Sequence, residues 1–158
     1  CYTNEAQEDV IIRKKEIYDG ATPSGNAVMA FVLRYLAKVY DLPGWEERAN
    51  AMTLSLRSVI TKYPTSFGVW AQQAQTMVHG SHEIAITGEG AMEMLRKLLP
   101  VFLPDRVLQA SLKDDKNFPL LRERYQEKTL LYHCKNYVCT RPNETVKEFL
   151  RSLENEQQ

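Results

Sequence analysis

The sequence has no excess of charge of either sign, since 20 lysines and arginines balance 20 aspartates and glutamates among 158 residues. Without a positive surplus there is no basic field to hold a nucleic-acid backbone, so that class of partner is disfavoured. Long apolar runs are also missing. The nearest one, residues 28–39, is interrupted by Arg34 and Lys38 and is shorter than the ~20 residues of a membrane span. No membrane partner is expected.

Cysteine is scarce and odd in number, with only Cys1, Cys134 and Cys139. An odd count is a poor disulfide framework and favours a reducing compartment, so a cytoplasmic location is predicted. A mature bacterial lipoprotein also begins with cysteine. Here the first residues run straight into ordered-looking sequence, which is more typical of a cut inside a longer chain.

Cys134 and Cys139 are five positions apart. In one extended strand they would face opposite sides about 16 Å apart, whereas a disulfide needs α-carbons within about 7 Å. Bonding would require a tight turn through Asn136. A metal site would need two further ligands, and only His133 is close. The favoured interpretation is a pair of buried structural thiols.

Composition is ordinary for a globular protein, with 44% hydrophobic and 25% charged residues. Hydrophobic periodicity predicts three helices in the first half. Residues 26–40 are apolar on nearly all sides, so this helix should pack on several sides. Residues 45–63 carry one apolar stripe, as an outer helix does, and residues 67–78 are again more apolar. Inner and outer helices therefore alternate.

The second half changes character. A strand is predicted at residues 83–87, a helix at 91–103 and a strand at 106–110, which together make a βαβ unit with parallel strands. A third strand at 129–134 and a last helix at 144–153 follow, and a short strand or arm is predicted at 10–14. The fold class is α+β, mainly α, with a small βαβ-type layer and a C-terminal helix.

Two motifs are better explained by local structure than by chemistry. Gly88-Glu89-Gly90 lies between a strand and a helix as a dinucleotide fingerprint would, but Glu93 replaces the third glycine and acids would repel a pyrophosphate. A turn and helix cap is favoured, and no cofactor is expected. His79, His82 and His133 are scattered without framing carboxylates, so ordinary loop histidines are favoured over a metal site.

The loop before the first helix carries the candidate site. Its sequence bends at two glycines and a proline, and it reads Tyr18-Asp19-Gly20-Ala21-Thr22-Pro23-Ser24-Gly25-Asn26. Asp19 is the candidate catalytic residue, as an acid, a base or an acceptor for a sugar hydroxyl. The alternative, which residue chemistry favours, is a turn residue that accepts nearby backbone N–H groups. The candidate substrate-binding residues are Tyr18, Thr22, Ser24 and Asn26. Ser24 or Asn26 can also cap the helix.

Two segments carry a family resemblance. The first is residues 16–26 with the apolar helix after them; the second is Tyr132-His133-Cys134-Lys135-Asn136-Tyr137-Val138-Cys139, followed by a proline segment and the last helix. Both resemble the C-terminal region of the thioredoxin-domain-containing, spermatogenesis-associated protein family. The strand–helix–strand pattern between them fits, so the resemblance covers essentially the whole chain.

The resemblance implies a longer protein. Family members have an N-terminal thioredoxin-like domain with a Cys-x-x-Cys site and an (α/α) toroid similar to N-acylglucosamine 2-epimerases and six-hairpin glycosidases. This chain would be the closing part of that toroid, with residues 1–79 as about three toroid helices and 80–158 as an α/β part. No Cys-x-x-Cys occurs here, so the redox chemistry of that domain does not carry over, and the epimerases' catalytic histidines match no residue here.

Two hypotheses follow from the resemblance. The preferred one is a structural module that closes the toroid, packs against the rest of its own chain, including the thioredoxin-like domain, and catalyses nothing by itself. On the other, the polar loop from Asp19 to Asn26 lies near the central cleft and contributes to a carbohydrate site of an enzyme. Tyr18 or Trp70 could then supply an aromatic platform for the sugar. A toroid cut partway should also expose the flanks of its inner helices, which favours self-association.

Overall fold

The computed structural model describes residues 15–155. These residues form two compact units, one from residues 15–37 and 42–79 and the other from 38–41 and 80–155. Within the described range there are six α-helices and one four-stranded sheet, which confirms the α+β class with helix predominating. The strand or arm predicted at 10–14 lies outside the described residues.

The first unit is helical. Its elements are α1 (Gly25–Tyr40), whose last turn groups with the second unit, α2 (Pro43–Ser55), α3 (Arg57–Lys62), a 3₁₀ turn (Pro64–Ser66) and α4 (Gly68–His79). The single helix predicted at 45–63 is therefore wrong, because it breaks at Leu56. The Ser55 hydroxyl donates to the Met52 carbonyl at 2.7 Å, and the Leu56 N–H turns to Thr53 instead at 3.1 Å. Side-chain competition for a backbone acceptor is a recognised way to end a helix.

The core of the first unit is built around Trp70, which is 1% exposed. Ala27 and Ala30 of α1 pack there with Ile60 and Phe67. The apolar residues that α1 contributes to this core are thus its alanines, which let the helix approach the indole closely.

The larger apolar side chains of α1 lie elsewhere. Four of them are between 37% and 48% exposed, namely Val28, Phe31, Val32 and Tyr35. At 100° per residue they fall within an arc of about 100°. The described residues bury only the side of α1 that carries its alanines and Arg34, so packing of this helix on further sides stays a prediction for a longer protein.

The second unit contains the sheet, in the order β2-β1-β3-β4. Its strands are β1 (His82–Thr87), β2 (Arg106–Ser111), β3 (Leu130–Lys135) and β4 (Val138–Cys139). β1 and β2 are parallel and α5 (Ala91–Leu98) connects them, which confirms the βαβ unit. β3 runs antiparallel to β1. The helix predicted at 91–103 is shorter than expected, and α6 (Val146–Asn155) closes the described chain.

Alternation along β1 gives the sheet two buried faces. Ile84 and Ile86 pack with α5 and with Phe149 of α6. Ala85 faces the other way and packs with Leu120 and Leu121. Those two leucines belong to a segment without helix or strand. None of the helices in residues 15–155 has the length and apolar character needed to span a bilayer.

Candidate functional site

Asp19 is the centre of the candidate loop and is 8% exposed. Its Oδ1 accepts the Ser24 N–H at 2.8 Å, and its Oδ2 accepts the Val69 N–H at 2.9 Å. Its own N–H donates to the Ser66 carbonyl at 2.9 Å. Since Ser24 precedes α1 and Val69 lies in the first turn of α4, one carboxylate joins the N-terminal ends of two helices. Negative charge is stabilising at both of these positions.

The two polar residues next to α1 also bond locally. Ser24 is 2% exposed, and its hydroxyl accepts the Ala27 N–H at 3.2 Å, so it is a cap of α1. The Asn26 side-chain amide donates to the Glu16 carbonyl at 2.5 Å. Both side chains hold the loop against the helix, and neither points to a ligand-binding role by its contacts.

The two aromatic candidates, Tyr18 and Trp70, differ in their exposure. Tyr18 is 52% exposed and lies edge-on to Phe67, with ring centroids 6.0 Å apart. Thr22 is also exposed. Trp70, however, is buried, and its indole N–H donates to the Ile17 carbonyl at 2.9 Å. The prediction that Trp70 could form a sugar platform is therefore wrong, because its ring faces the helical core.

The Asp19 carboxylate in this loop has little remaining capacity to accept further hydrogen bonds. Each oxygen of Asp19 already accepts a main-chain N–H, and those two bonds join separate helices. Such contacts are those of the turn residue that side-chain chemistry favoured. A role in catalysis for Asp19 stays a prediction, as do the binding roles of its neighbours.

The glycine turn after β1 is tightly packed. Gly88 has φ +112°, and a β-carbon there would lie 2.7 Å from the Lys128 carbonyl oxygen. The Gly90 N–H, at the start of α5, donates to the Thr129 hydroxyl at 2.8 Å. The glycines thus serve close backbone approach and a helix cap, as the favoured interpretation expected.

Glu83 is a buried charged residue that sequence reasoning missed. It is 1% exposed, and its carboxylate accepts the N–H groups of Asn136 at 3.1 Å and Tyr137 at 2.7 Å. The Lys38 ammonium lies 3.6 Å from Oε1 and donates to the Asn136 side-chain oxygen at 3.1 Å. The alternating pattern of β1 could have indicated that Glu83 faces inward, but not which groups it meets.

Asn136 and Tyr137 form the two-residue turn between β3 and β4. Both have positive φ, 49° and 62°, as a type I′ hairpin turn requires. Tyrosine is an unfavourable residue for that conformation. The carboxylate of Glu83 binds the two turn amides, so it stabilises a backbone shape that the sequence would not adopt readily by itself.

This hairpin corrects the interpretation of the cysteines. Cys134 and Cys139 are directly opposite in the β3–β4 register, with α-carbons 3.9 Å apart, and they form a disulfide. The expectation of two separate thiols assumed one continuous strand. With a two-residue turn through Asn136, positions five apart become cross-strand partners instead.

The three histidines are not all loop residues. The His82 Nδ1 and His133 Nε2 atoms are 3.0 Å apart on neighbouring strands, and His133 is 2% exposed and edge-on to Phe149. The expectation of ordinary loop histidines is wrong, since His82 and His133 lie on β1 and β3 and His79 is the exposed last residue of α4. In residues 15–155 no group of three or more histidine, cysteine or acidic side chains is arranged to hold a metal ion.

Two further features lie apart from the predicted site. In the first unit, the buried Arg34 donates to the side-chain oxygens of Gln73 at 3.1 Å and Asn50 at 2.6 Å, linking three helices. In the second unit, a cleft of about 230 Å³ is lined in part by Glu93 and Lys97. These two pair at 2.7 Å, and the hydrogen bond and charge of Lys97 lower the pKa of the Glu93 carboxyl.

Comparison of the chain with protein-family models, with curated proteins and with solved structures returns no match. The family resemblance therefore stays a prediction, and function has to be argued from the contacts described above.

Proposed function

We propose that this chain is a structural module that closes an (α/α) toroid in a longer, thioredoxin-domain-containing protein and catalyses nothing by itself. The observation that carries the proposal is the Asp19 carboxylate. Both of its oxygens accept main-chain N–H groups, from Ser24 and Val69, at the starts of α1 and α4. A carboxylate used in this way fixes helix positions, and using it for proton transfer would break one of those bonds.

The exposed stripe of α1 supports the same proposal. It consists of Val28, Phe31, Val32 and Tyr35, and the Phe31 and Tyr35 rings stack with centroids 6.2 Å apart. A contiguous apolar surface of this kind marks a contact site rather than ordinary surface. In the proposed toroid its occupant is the neighbouring helices of the same ring, and in the isolated chain a second copy would substitute for them.

Phe31→Glu tests this proposal in the longer protein. If the stripe is buried by neighbouring helices, a charge within it costs several kcal/mol of unfolding free energy, and the melting temperature falls by several degrees. The matched control is Val78→Glu, at an apolar position that is 79% exposed and lies on α4, not on the helix that carries the stripe. Equal melting temperatures for the two variants would contradict the proposal.

The isolated chain gives an independent measurement. Light scattering should show self-association that Phe31→Glu reduces and Val78→Glu does not. A stable, monodisperse monomer at concentrations near 100 μM (an order-of-magnitude choice for weak association) would argue against an unpartnered ring segment.

The second candidate is a contribution to a carbohydrate site of the full-length protein. The exposed ring of Tyr18 and the exposed Thr22 favour it, since aromatic faces and hydroxyls are suited to sugars. Tyr18→Ala should then weaken sugar binding while leaving the melting temperature unchanged. Asp19→Asn separates the two candidates: on the structural proposal it mainly destabilises the fold, and on the carbohydrate proposal it abolishes binding or turnover with stability nearly unchanged.

The proposed compartment remains the cytoplasm. Disulfides there are usually transient, so the Cys134–Cys139 bond would be opened and re-formed rather than kept permanently. The fraction of oxidised chain, measured by alkylation in intact cells, tests the compartment: a fully oxidised pair at steady state would contradict it.

A further inference from the structure

The two sulfurs of the Cys134–Cys139 disulfide have different surroundings. Cys134 is 1% exposed and packs in the apolar cluster with Ala85, Tyr132 and Leu120. Cys139 is only partly buried and belongs to β4, the short strand at the edge of the sheet. A reagent from solvent therefore reaches Cys139 before it reaches Cys134.

Arg124 lies against the more accessible sulfur. Its Nη2 is 2.8 Å from Cys139 Sγ, and its Nη1 donates to the carbonyls of Pro119 at 3.2 Å and Leu120 at 2.9 Å. The guanidinium also lies 5.7 Å from the centre of the Tyr132 ring. These contacts fix its orientation, and within residues 15–155 no carboxylate forms an ion pair with it.

A fixed guanidinium beside a sulfur has two chemical effects. It attracts an incoming thiolate, because that nucleophile is an anion. It also favours the thiolate over the thiol once the disulfide is reduced, as arginine does beside reactive cysteines. Buried apolar surroundings such as those of Cys134 have the opposite effect.

We propose that Cys134–Cys139 is a thiol–disulfide exchange site, in which Cys139 is the sulfur that exchanges with an incoming thiol and Cys134 is the buried resolving sulfur. The co-reactant is a thiol reductant of low molecular mass or an accessible protein thiol. This inference rests on the hairpin and is independent of the proposed toroid.

The exchange proceeds in two balanced steps. The incoming thiolate attacks Cys139 Sγ, a new S–S bond forms there, and Cys134 Sγ leaves with the electron pair and takes up a proton. A second thiolate then attacks the sulfur of the first reductant molecule and releases the Cys139 thiolate beside Arg124. Overall the protein disulfide gains two electrons, Cys134 takes up one proton, the second proton is released to solvent while Cys139 stays a thiolate, and two thiols become one disulfide.

The turn keeps the two sulfurs close when the bond is open. Glu83 still binds the amides of Asn136 and Tyr137, so reduction does not require the hairpin to separate. Cys134 therefore remains opposite Cys139 and can attack a mixed disulfide on it, which restores the original bond.

The first experiment locates the exchanging sulfur in an otherwise native chain carrying Cys1→Ser. Reduced glutathione is added, the reaction is stopped with acid, and the mixed disulfide is located by peptide mass analysis. The adduct is expected on Cys139. An adduct on Cys134, or equal amounts on both, would overturn the proposal, as would no exchange with folded protein.

The second experiment measures thiolate reactivity. In the Cys1→Ser background, Cys134→Ser leaves Cys139 as the single thiol, and Cys139→Ser leaves Cys134. With an aromatic disulfide reagent at pH 7, Cys139 is expected to react at least about tenfold faster. Equal rates would contradict the assigned roles.

The third experiment tests Arg124 as a positioning residue. In the single-thiol Cys139 chain, Arg124→Gln should move the midpoint of the rate–pH profile to higher pH and slow the reaction about tenfold at pH 6. Arg124→Lys keeps the charge and should restore part of the rate, which a purely structural role would not predict. Arg122→Gln, at an exposed arginine two positions away, is the matched control. Superimposable profiles for Arg124→Gln and Arg122→Gln would overturn the role of Arg124. If Arg124→Gln does not fold, the comparison of the two single-thiol chains still decides the proposal.

Discussion

Replacing Glu83 by glutamine is expected to destabilise the second unit strongly, although the two side chains have nearly the same shape. The carboxylate accepts N–H groups at 3.1 and 2.7 Å from the two residues of the hairpin turn, and it lies 3.6 Å from the Lys38 ammonium. An amide has one oxygen, so its NH₂ group would face one of the two turn amides. That donor would lose its acceptor in a buried site.

The magnitude follows from these contacts. Removing one partner of a buried charge pair costs about 3–5 kcal/mol, because the other charge and the hydrogen-bonded groups stay buried. Total stabilities of domains are about 5–15 kcal/mol, so the loss is a large fraction. At ~2–4 °C per kcal/mol for a chain of this size, the melting temperature should fall by about 10 °C.

Two measurements check this expectation. Thermal unfolding followed by circular dichroism gives the melting temperature, and hydrogen exchange reports the amides of Asn136 and Tyr137, which should lose protection selectively. Glu93→Gln is the matched control, since this carboxylate pairs with Lys97 at a side-chain position that is 71% exposed. Its melting temperature should stay within error of the wild type.

The reasoning would be refuted by a fall of less than about 2 °C in Glu83→Gln (under one kcal/mol for this chain length) together with unchanged exchange of the two turn amides. In that case the turn would hold its shape without the carboxylate, and the positive φ of Tyr137 would need another cause.

Two further outcomes are expected. Gly88→Ala should lower the unfolding free energy, measured in urea, by about 3 kcal/mol, because its added β-carbon would lie 2.7 Å from the backbone of residues 128–129. Gly44→Ala is the control and should not be destabilising, since a β-carbon added there meets no neighbouring atom within 4 Å. Burial raises the pKa of the Tyr132 hydroxyl above its ordinary value of 10.0. The folded state therefore keeps a proton that the unfolded chain releases, and the free energy of unfolding should fall as the pH rises through the range in which the unfolded chain loses this proton. Tyr132→Phe should flatten the dependence of melting temperature on pH between about 9 and 11, whereas Tyr63→Phe should leave it as in the wild type. Identical curves for the wild type and both variants would contradict this account.

The sequence identified most residues of the candidate site, but it did not show how they are arranged in space. The loop from Tyr18 to Asn26, a cap at Ser24 or Asn26 and the turn role favoured for Asp19 all follow from local chemistry. The partner of Asp19 in α4 is 50 positions away, and no local pattern specifies it. Likewise, the sequence around Trp70 does not distinguish an exposed binding platform from the core residue that the structure shows.

The β3–β4 hairpin shows most clearly what residue spacing alone could not predict. Spacing alone allowed Cys134 and Cys139 to be far apart or bonded, and the choice depended on the conformation of Asn136 and Tyr137. That conformation is stabilised by Glu83, more than 50 positions earlier in the chain. An error about one turn therefore changed the predicted chemistry of both cysteines.

The sequence by itself determined the α+β class, the βαβ unit and the approximate places of the helices and strands, because backbone hydrogen bonds and side-chain periodicity act over a few residues. Only the tertiary structure decided which side of α1 is buried, which cysteines pair and which distant groups the carboxylates of Asp19 and Glu83 bind. Those outcomes depend on contacts between residues distant in the chain, whose free energies exceed the local preferences that a sequence pattern records.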